Sequence, residues 1–187
     1  SPVAEWEQLL LVLYEQADWL LSQGKLEQAI QLAEQILALA GETALTSQAL
    51  AYRILGMSYL FQGRFAKARE QLEDALRIYH SIAQSPALPW IGVDLETSCQ
   101  VLLGFVLAVS GYLDQGWAQT SQALQRARRS KSPSTLGATL ILACEVAVLR
   151  GDLSTLHTLT SELLHVGQAE GRRFFLAYGW AAEGYAQ

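Results

Sequence analysis

Apolar and polar positions alternate with a helical period along nearly the whole chain. In FAKAREQLEDAL the residues Ala68, Leu72 and Ala75 fall three and four apart, which stacks them on one face of an α-helix. Four such amphipathic stretches are cut by a glycine and resume after it. The glycines are Gly24 in QGKLEQAI, Gly63 in QGRFAKAR, Gly111 in SGYLDQGW and Gly151 in RGDLSTLH. The spacing is 39 residues from Gly24 to Gly63, 48 to Gly111 and 40 to Gly151. A glycine suits the point where a chain leaves one helix and enters an antiparallel one. The pattern therefore predicts helical hairpins in series.

The hairpins repeat one another. The second reads Tyr52, Leu55-Gly56, Tyr59, Gly63, Ala68, Leu72, Ala75. This follows the tetratricopeptide pattern W-x2-L-G-x2-Y then A-x3-F, with Tyr for Trp and Leu for Phe. Small residues at Gly56, Ala68 and Ala75 let helices approach, and the large ones fill the space around them. The third keeps Leu103-Gly104, Leu107, Gly111 and Ala123, with Gly116 at the Ala68 position. In the fourth, Cys144 and Leu156 take the places of Gly56 and Ala68, and the first pairs Ala17, Leu20, Gly24 and Ala29. Ala177 to Gln187 reads as one more first helix, with Gly184 in the small slot. The expected fold is all-α: one tetratricopeptide-like solenoid with right-handed superhelical winding, about four repeats plus a truncated fifth. Its approximate boundaries are 5–43, 44–83, 93–131, 134–170 and 172–187, with an insertion at 81–92 whose prolines forbid a continuous helix. A half-repeat leaves an apolar face unpaired, so the sequence is expected to be a piece of a longer protein. Asp94 or Thr97, and Ser132 before Pro133, are the expected helix-starting residues.

The string ALAYRILGMSYLFQGRFAKAREQLEDALRIY (Ala49 to Tyr79), followed by LGFVLAVSGYLDQGWAQTSQAL, resembles the repeat region of large bacterial multidomain signalling ATPases. The resemblance runs roughly from Ala49 to Gln187 and is most specific in LFQGRFAKAREQLEDAL and LAVSGYLDQ. Before Leu45 the match is to generic repeats, and Pro89-Trp90-Ile91-Gly92 departs from the expected polar lead-in. In that family the repeats follow a nucleotide-binding module, and a cyclase, kinase or DNA-binding regulator domain is often attached. The resemblance implies a bacterial regulatory arm that senses a ligand or partner in signal transduction.

Composition narrows the chemistry. The net charge is −5 with a pI near 5.2, and an acidic chain lacks the basic footprint of a nucleic-acid binder. The longest uncharged apolar stretch, Val101 to Leu113, is too short to span a bilayer. Two cysteines, Cys99 and Cys144, sit in apolar helical stretches, as expected for buried thiols in a reducing cytoplasm. Neither a G-x-x-x-x-G-K-[ST] nor a G-x-G-x-x-G loop occurs. His157 and His165 stand two helical turns apart, too far to share a metal directly. No nucleophile has a base at a recognisable spacing. Arg126, Arg128, Arg129 and Lys131 either form an anion or nucleic-acid site or end a helix, where positive charge complements the dipole. No catalytic residue, cofactor or metal is expected.

What remains is a partner surface. In such arrays the first helix of each repeat lines the concave face. The residues expected there are Tyr14 and Asp18; Arg53, Met57, Leu60 and Phe61; Val101 and Phe105; and Ile141, Glu145 and Val148. Only Arg53 is basic among them, so a carboxylate clamp is not expected. These residues either open an apolar groove for a protein or peptide, including another domain of the same polypeptide, or are consumed as core. Trp90, in the proline-flanked insertion, either folds back or anchors a partner. A homodimer through exposed half-repeat faces, a small-molecule effector site and a free-standing adaptor are the alternatives.

Overall fold

A computed structural model describes residues 2–41, 43–82, 94–130 and 132–186. Among the described residues there are nine helices and no strand. They are α1 (Pro2–Ser22), α2 (Leu26–Ala40), α3 (Leu45–Phe61), α4 (Phe65–Ile82), α5 (Leu95–Val109), α6 (Leu113–Arg129), α7 (Pro133–Arg150), α8 (Leu153–Ala169) and α9 (Arg173–Ala186). The chain divides into two compact units, Ser1–Trp90 and Ile91–Gln187. Within each unit a helix packs on its hairpin partner and on the first helix of the next hairpin: α1 on α2 and α3, and α7 on α8 and α9. That pattern is a tetratricopeptide-like solenoid.

The turns are made where the glycines predict. At Gly63 φ is 73°, its N–H donates to the Leu60 carbonyl at 2.9 Å, and the Arg64 N–H donates to the Tyr59 carbonyl at 2.8 Å. This left-handed exit satisfies carbonyls that the helix end leaves open. Gly41 and Gly171 also have positive φ, between hairpins rather than within them, and had escaped the spacing argument. The starts of α5 and α7 are capped by side chains. Asp94 Oδ1 accepts from the Thr97 N–H at 3.0 Å, and Ser132 Oγ accepts from the Thr135 N–H at 3.2 Å, with Pro133 in the first turn.

Small residues set the helix spacing. A Cβ on Gly56 would lie 2.6 Å from Leu72 Cγ, so α3 and α4 meet only because Gly56 has none. In the next hairpin the approach is between backbones. A Cβ on Gly104 would lie 2.8 Å from the Gly116 carbonyl oxygen. Leu50, Ile54 and Leu72 are fully buried in the first unit. Leu140, Ala143, Cys144, Ala147, Leu156 and Leu163 belong to one core cluster in the second. One described helix, Pro133–Arg150, is long and apolar enough to cross a membrane by length and composition. Glu145 and Arg150 interrupt its uncharged run, and its apolar face lines the core cluster just named.

Candidate functional site

In the first unit the expected face lies on the first helices α1 and α3. Tyr14 and Asp18 project from α1 toward Arg53 of α3. Arg53 is only 7% exposed, and its Nη1 donates to Tyr14 Oη at 3.0 Å and to Asp18 Oδ1 at 2.9 Å. The single basic residue of the face is thus engaged inside the fold by a carboxylate whose side chain stays 42% exposed. Tyr14 and Leu60 are buried, Met57 is half-buried, and Phe61 is 62% exposed. The choice between groove and core is therefore split along one helix: the Arg53 end is closed and the Phe61 end is open.

In the second unit the expected residues lie on α5 and α7. Val101 is buried, while Phe105, Ile141, Glu145 and Val148 are half-buried. Ile141 and Val148 pack against the core cluster from its edge. Glu145 and Val148 line an open cleft of about 250 Å³ between α7 and α9, whose other walls are Cys144, Tyr178, Ala181, Ala182 and Tyr185. Glu145 has no hydrogen-bond or ion-pair partner among the described residues, and burial pushes its carboxyl above the ordinary value. Beside it the Cys144 thiol is pushed up to about 12 by burial first, then by Glu145 and Glu162.

Glycines hold the far wall in place. Gly137 of α7 leaves room for the Phe175 ring, where a Cβ would overlap it. Gly179 of α9 receives Leu164, and Gly167 of α8 receives Leu176, with would-be Cβ distances of 2.7 and 2.9 Å. These contacts seat α9 on α7 and α8, where Tyr178, Ala181 and Tyr185 line the same cleft as Glu145. Phe174 and Trp180 of α9 are exposed, as is much of the cleft-lining Tyr185, and nothing lies within 4 Å of a Cβ placed on Gly184.

Sequence reasoning named Glu145 and Val148 but missed the α9 wall. The signal was present in the repeat register, because Ala181 stands three residues before Gly184 as Arg53 stands three before Gly56. Trp90 lies outside the described residues. Of the basic cluster, Arg126 pairs with Glu96 at 2.8 Å, and Arg128 makes a two-pronged contact with Glu162 at 2.6 and 3.0 Å. Both end α6, as the dipole argument allows. His157 and His165 are exposed, and no group of three metal-ligating side chains occurs among the described residues.

Comparison with known proteins agrees with this architecture. The tetratricopeptide repeat family model matches residues 5–81. No curated protein sequence matches the chain significantly. Among solved structures, a Rap protein complexed with competence and sporulation factor superposes with a TM-score of 0.74 at 13% identity, over 92% of this chain and 48% of that one. BtubC from P. vanneervenii gives 0.71 at 18% identity, over 98% and 76%. A signal transduction ATPase with numerous domains, carrying a tetratricopeptide repeat sensor, from Pyrococcus horikoshii gives 0.68 at 15% identity, over 97% and 28%. At these identities the likeness is one of fold. The chain spans about half the length of the Rap chain and little more than a quarter of the ATPase.

Proposed function

We propose that this chain is a non-catalytic interaction module that receives a protein or peptide on the faces of its first helices. The observation that carries the proposal is the half-open face. Phe61, Phe105, Val148 and the unpartnered Glu145 occupy positions on first helices that packing does not close. An apolar surface with one charged group fixes a partner's register while apolar contact supplies affinity. The setting we favour is the sensor or scaffold arm of a bacterial multidomain signalling ATPase, in the cytoplasm. The sequence resemblance supports the bacterial setting, and the fold shared with the repeat sensor of the Pyrococcus horikoshii signal transduction ATPase supports the sensor-arm reading. Two buried, unbridged cysteines are in keeping with a reducing compartment. The partner is then a protein, a peptide or another domain of the same polypeptide, rather than nucleic acid or membrane.

Phe105→Asp tests the module. It should abolish capture of a partner from the native host while leaving the far-ultraviolet helical signal intact; capture that persists would remove the face from the proposal. The regulatory setting is tested by reading the gene on both sides. A nucleotide-binding module encoded in frame before this segment is expected, and its absence would overturn the signalling-arm assignment. Nucleotide turnover by the purified chain would contradict the non-catalytic reading.

A further inference from the structure

The pocket at Glu145 is the counterpart of a pair that is complete elsewhere in the chain. Asp18 stands six residues before the turn glycine Gly24, and Glu145 stands six before Gly151. Each carboxylate is thus carried at the same level of a first helix. In the first unit the following first helix presents Arg53, three residues before Gly56, and the guanidinium fills the space beside Asp18. In the second unit the following first helix is α9, and three residues before Gly184 stands Ala181. Ala181 and Glu145 line the same cleft of about 250 Å³. Where the first unit holds a buried arginine, the second holds a cavity, an unpartnered carboxylate and an alanine.

We propose that the α7–α9 cleft is a receptor for an arginine or lysine side chain carried on an apolar peptide segment of a partner protein, which completes there the ion pair that Arg53 completes internally. This rests on the interaction-module reading and specifies its ligand chemistry. The lining supports it part by part. Glu145 supplies the one charge, and it meets a cation without competing for an internal partner. Tyr178 and Tyr185 offer aromatic faces of the kind that attract guanidinium and ammonium groups. Val148, Ala182 and Ala181 offer apolar wall to the aliphatic stem. Exposed Leu149, next to the lining residue Val148 on α7, is apolar surface at the edge of the cleft, suited to a residue flanking the cation.

The test uses a fluorescent leucine- and alanine-rich peptide with one central arginine, and the same peptide with citrulline, which keeps the shape and removes the charge. Binding is read by anisotropy for the wild-type chain, Glu145→Gln and Ala181→Arg. Ala181 is exposed, so its replacement leaves the packing intact, and Glu145→Gln provides a second variant of nearly unchanged shape. Wild type should prefer the arginine peptide by about tenfold, and each variant should reduce that preference to about twofold or less. Equal binding of the two peptides, binding of neither, or an undiminished preference in Glu145→Gln would overturn the proposal. So would Nα-acetyl-arginine amide competing as strongly as the peptide, which would make the cleft a small-molecule site. If capture of the host partner stays sensitive to Phe105→Asp while the arginine preference is missing, the interaction module stands and only its assigned ligand falls.

Discussion

The faces at Arg53 and at Glu145 begin from the same place in the repeat and end differently. At the first, a carboxylate on one first helix meets a guanidinium on the next, with Tyr14 completing the contact, and the space between the helices is closed. At the second, the carboxylate stands at the same level, but at the position matching Arg53 the next helix carries only the methyl group of Ala181, and the space stays open. A charge that is partly desolvated and unpaired opposes folding. Keeping one at a position where the same chain elsewhere provides its partner is understandable if the partner arrives from outside. The comparison also separates two uses of one repeat position: at Asp18 the carboxylate is paired within the scaffold, and at Glu145 it is left without a partner.

Removing the closed pair should have the largest effect. Arg53→Leu takes charged hydrogen bonds from a buried site and should lower the unfolding free energy by about 2 kcal/mol, read by urea denaturation. A cost below about 0.5 kcal/mol would mean that the pair contributes little. Next, Gly56→Ala should cost about 1–2 kcal/mol, since Leu72 must move to admit the new methyl. Gly184→Ala meets nothing within 4 Å and should be neutral or slightly stabilising. An equal penalty at the two glycines would show that the α9 slot is not open.

Glu145→Gln should act in the opposite direction to Arg53→Leu. Its carboxyl is raised by burial, so protonation favours the folded state. The ionised form lowers stability as pH rises through and beyond the unfolded carboxyl range, about 4 for a free glutamate. The substitution should therefore raise the melting temperature modestly at pH 7.5 and leave it unchanged near pH 3.5. A lower melting temperature at pH 7.5 would reveal a stabilising contact for Glu145. The smallest effect concerns its neighbour. Cys144, pushed up to about 12, should resist thiol reagents at pH 8 until the chain unfolds, and Glu145→Gln should bring its titration down slightly. Rapid labelling of native Cys144 would contradict its burial.

The helices and turns were legible because they follow from local chemistry: apolar period, turn glycines, and caps at Asp94 and Ser132. The repeat register was legible for the same reason, down to Gly56 as the seat for a neighbouring helix. What the pattern left undecided was the fate of residues on the first-helix face. Tyr14, Leu60 and Val101 are apolar or aromatic residues that the neighbouring helices bury, whereas Phe61, one residue past Leu60, is not covered. No periodicity separates them, because burial there depends on the side chain offered by the next repeat. Arg53 is the clearest instance. Read as a surface base, it is an internal ligand of Asp18, and only the distance between α1 and α3 reveals that. The α9 wall escaped notice because alanine carries no chemical signal. Ala181 matters for the arginine that it is not.

A double-mutant cycle between positions 145 and 181 bears most directly on the equivalence of the two faces. Unfolding free energies would be measured for wild type, Glu145→Gln, Ala181→Arg and the double substitution. If the second face is the first face lacking its arginine, Ala181→Arg should stabilise the chain when Glu145 is present and lose that gain with Gln at 145. A coupling of about 0.5–1 kcal/mol is expected for a pair still in contact with solvent. Additive effects, with no coupling between the two positions, would contradict it.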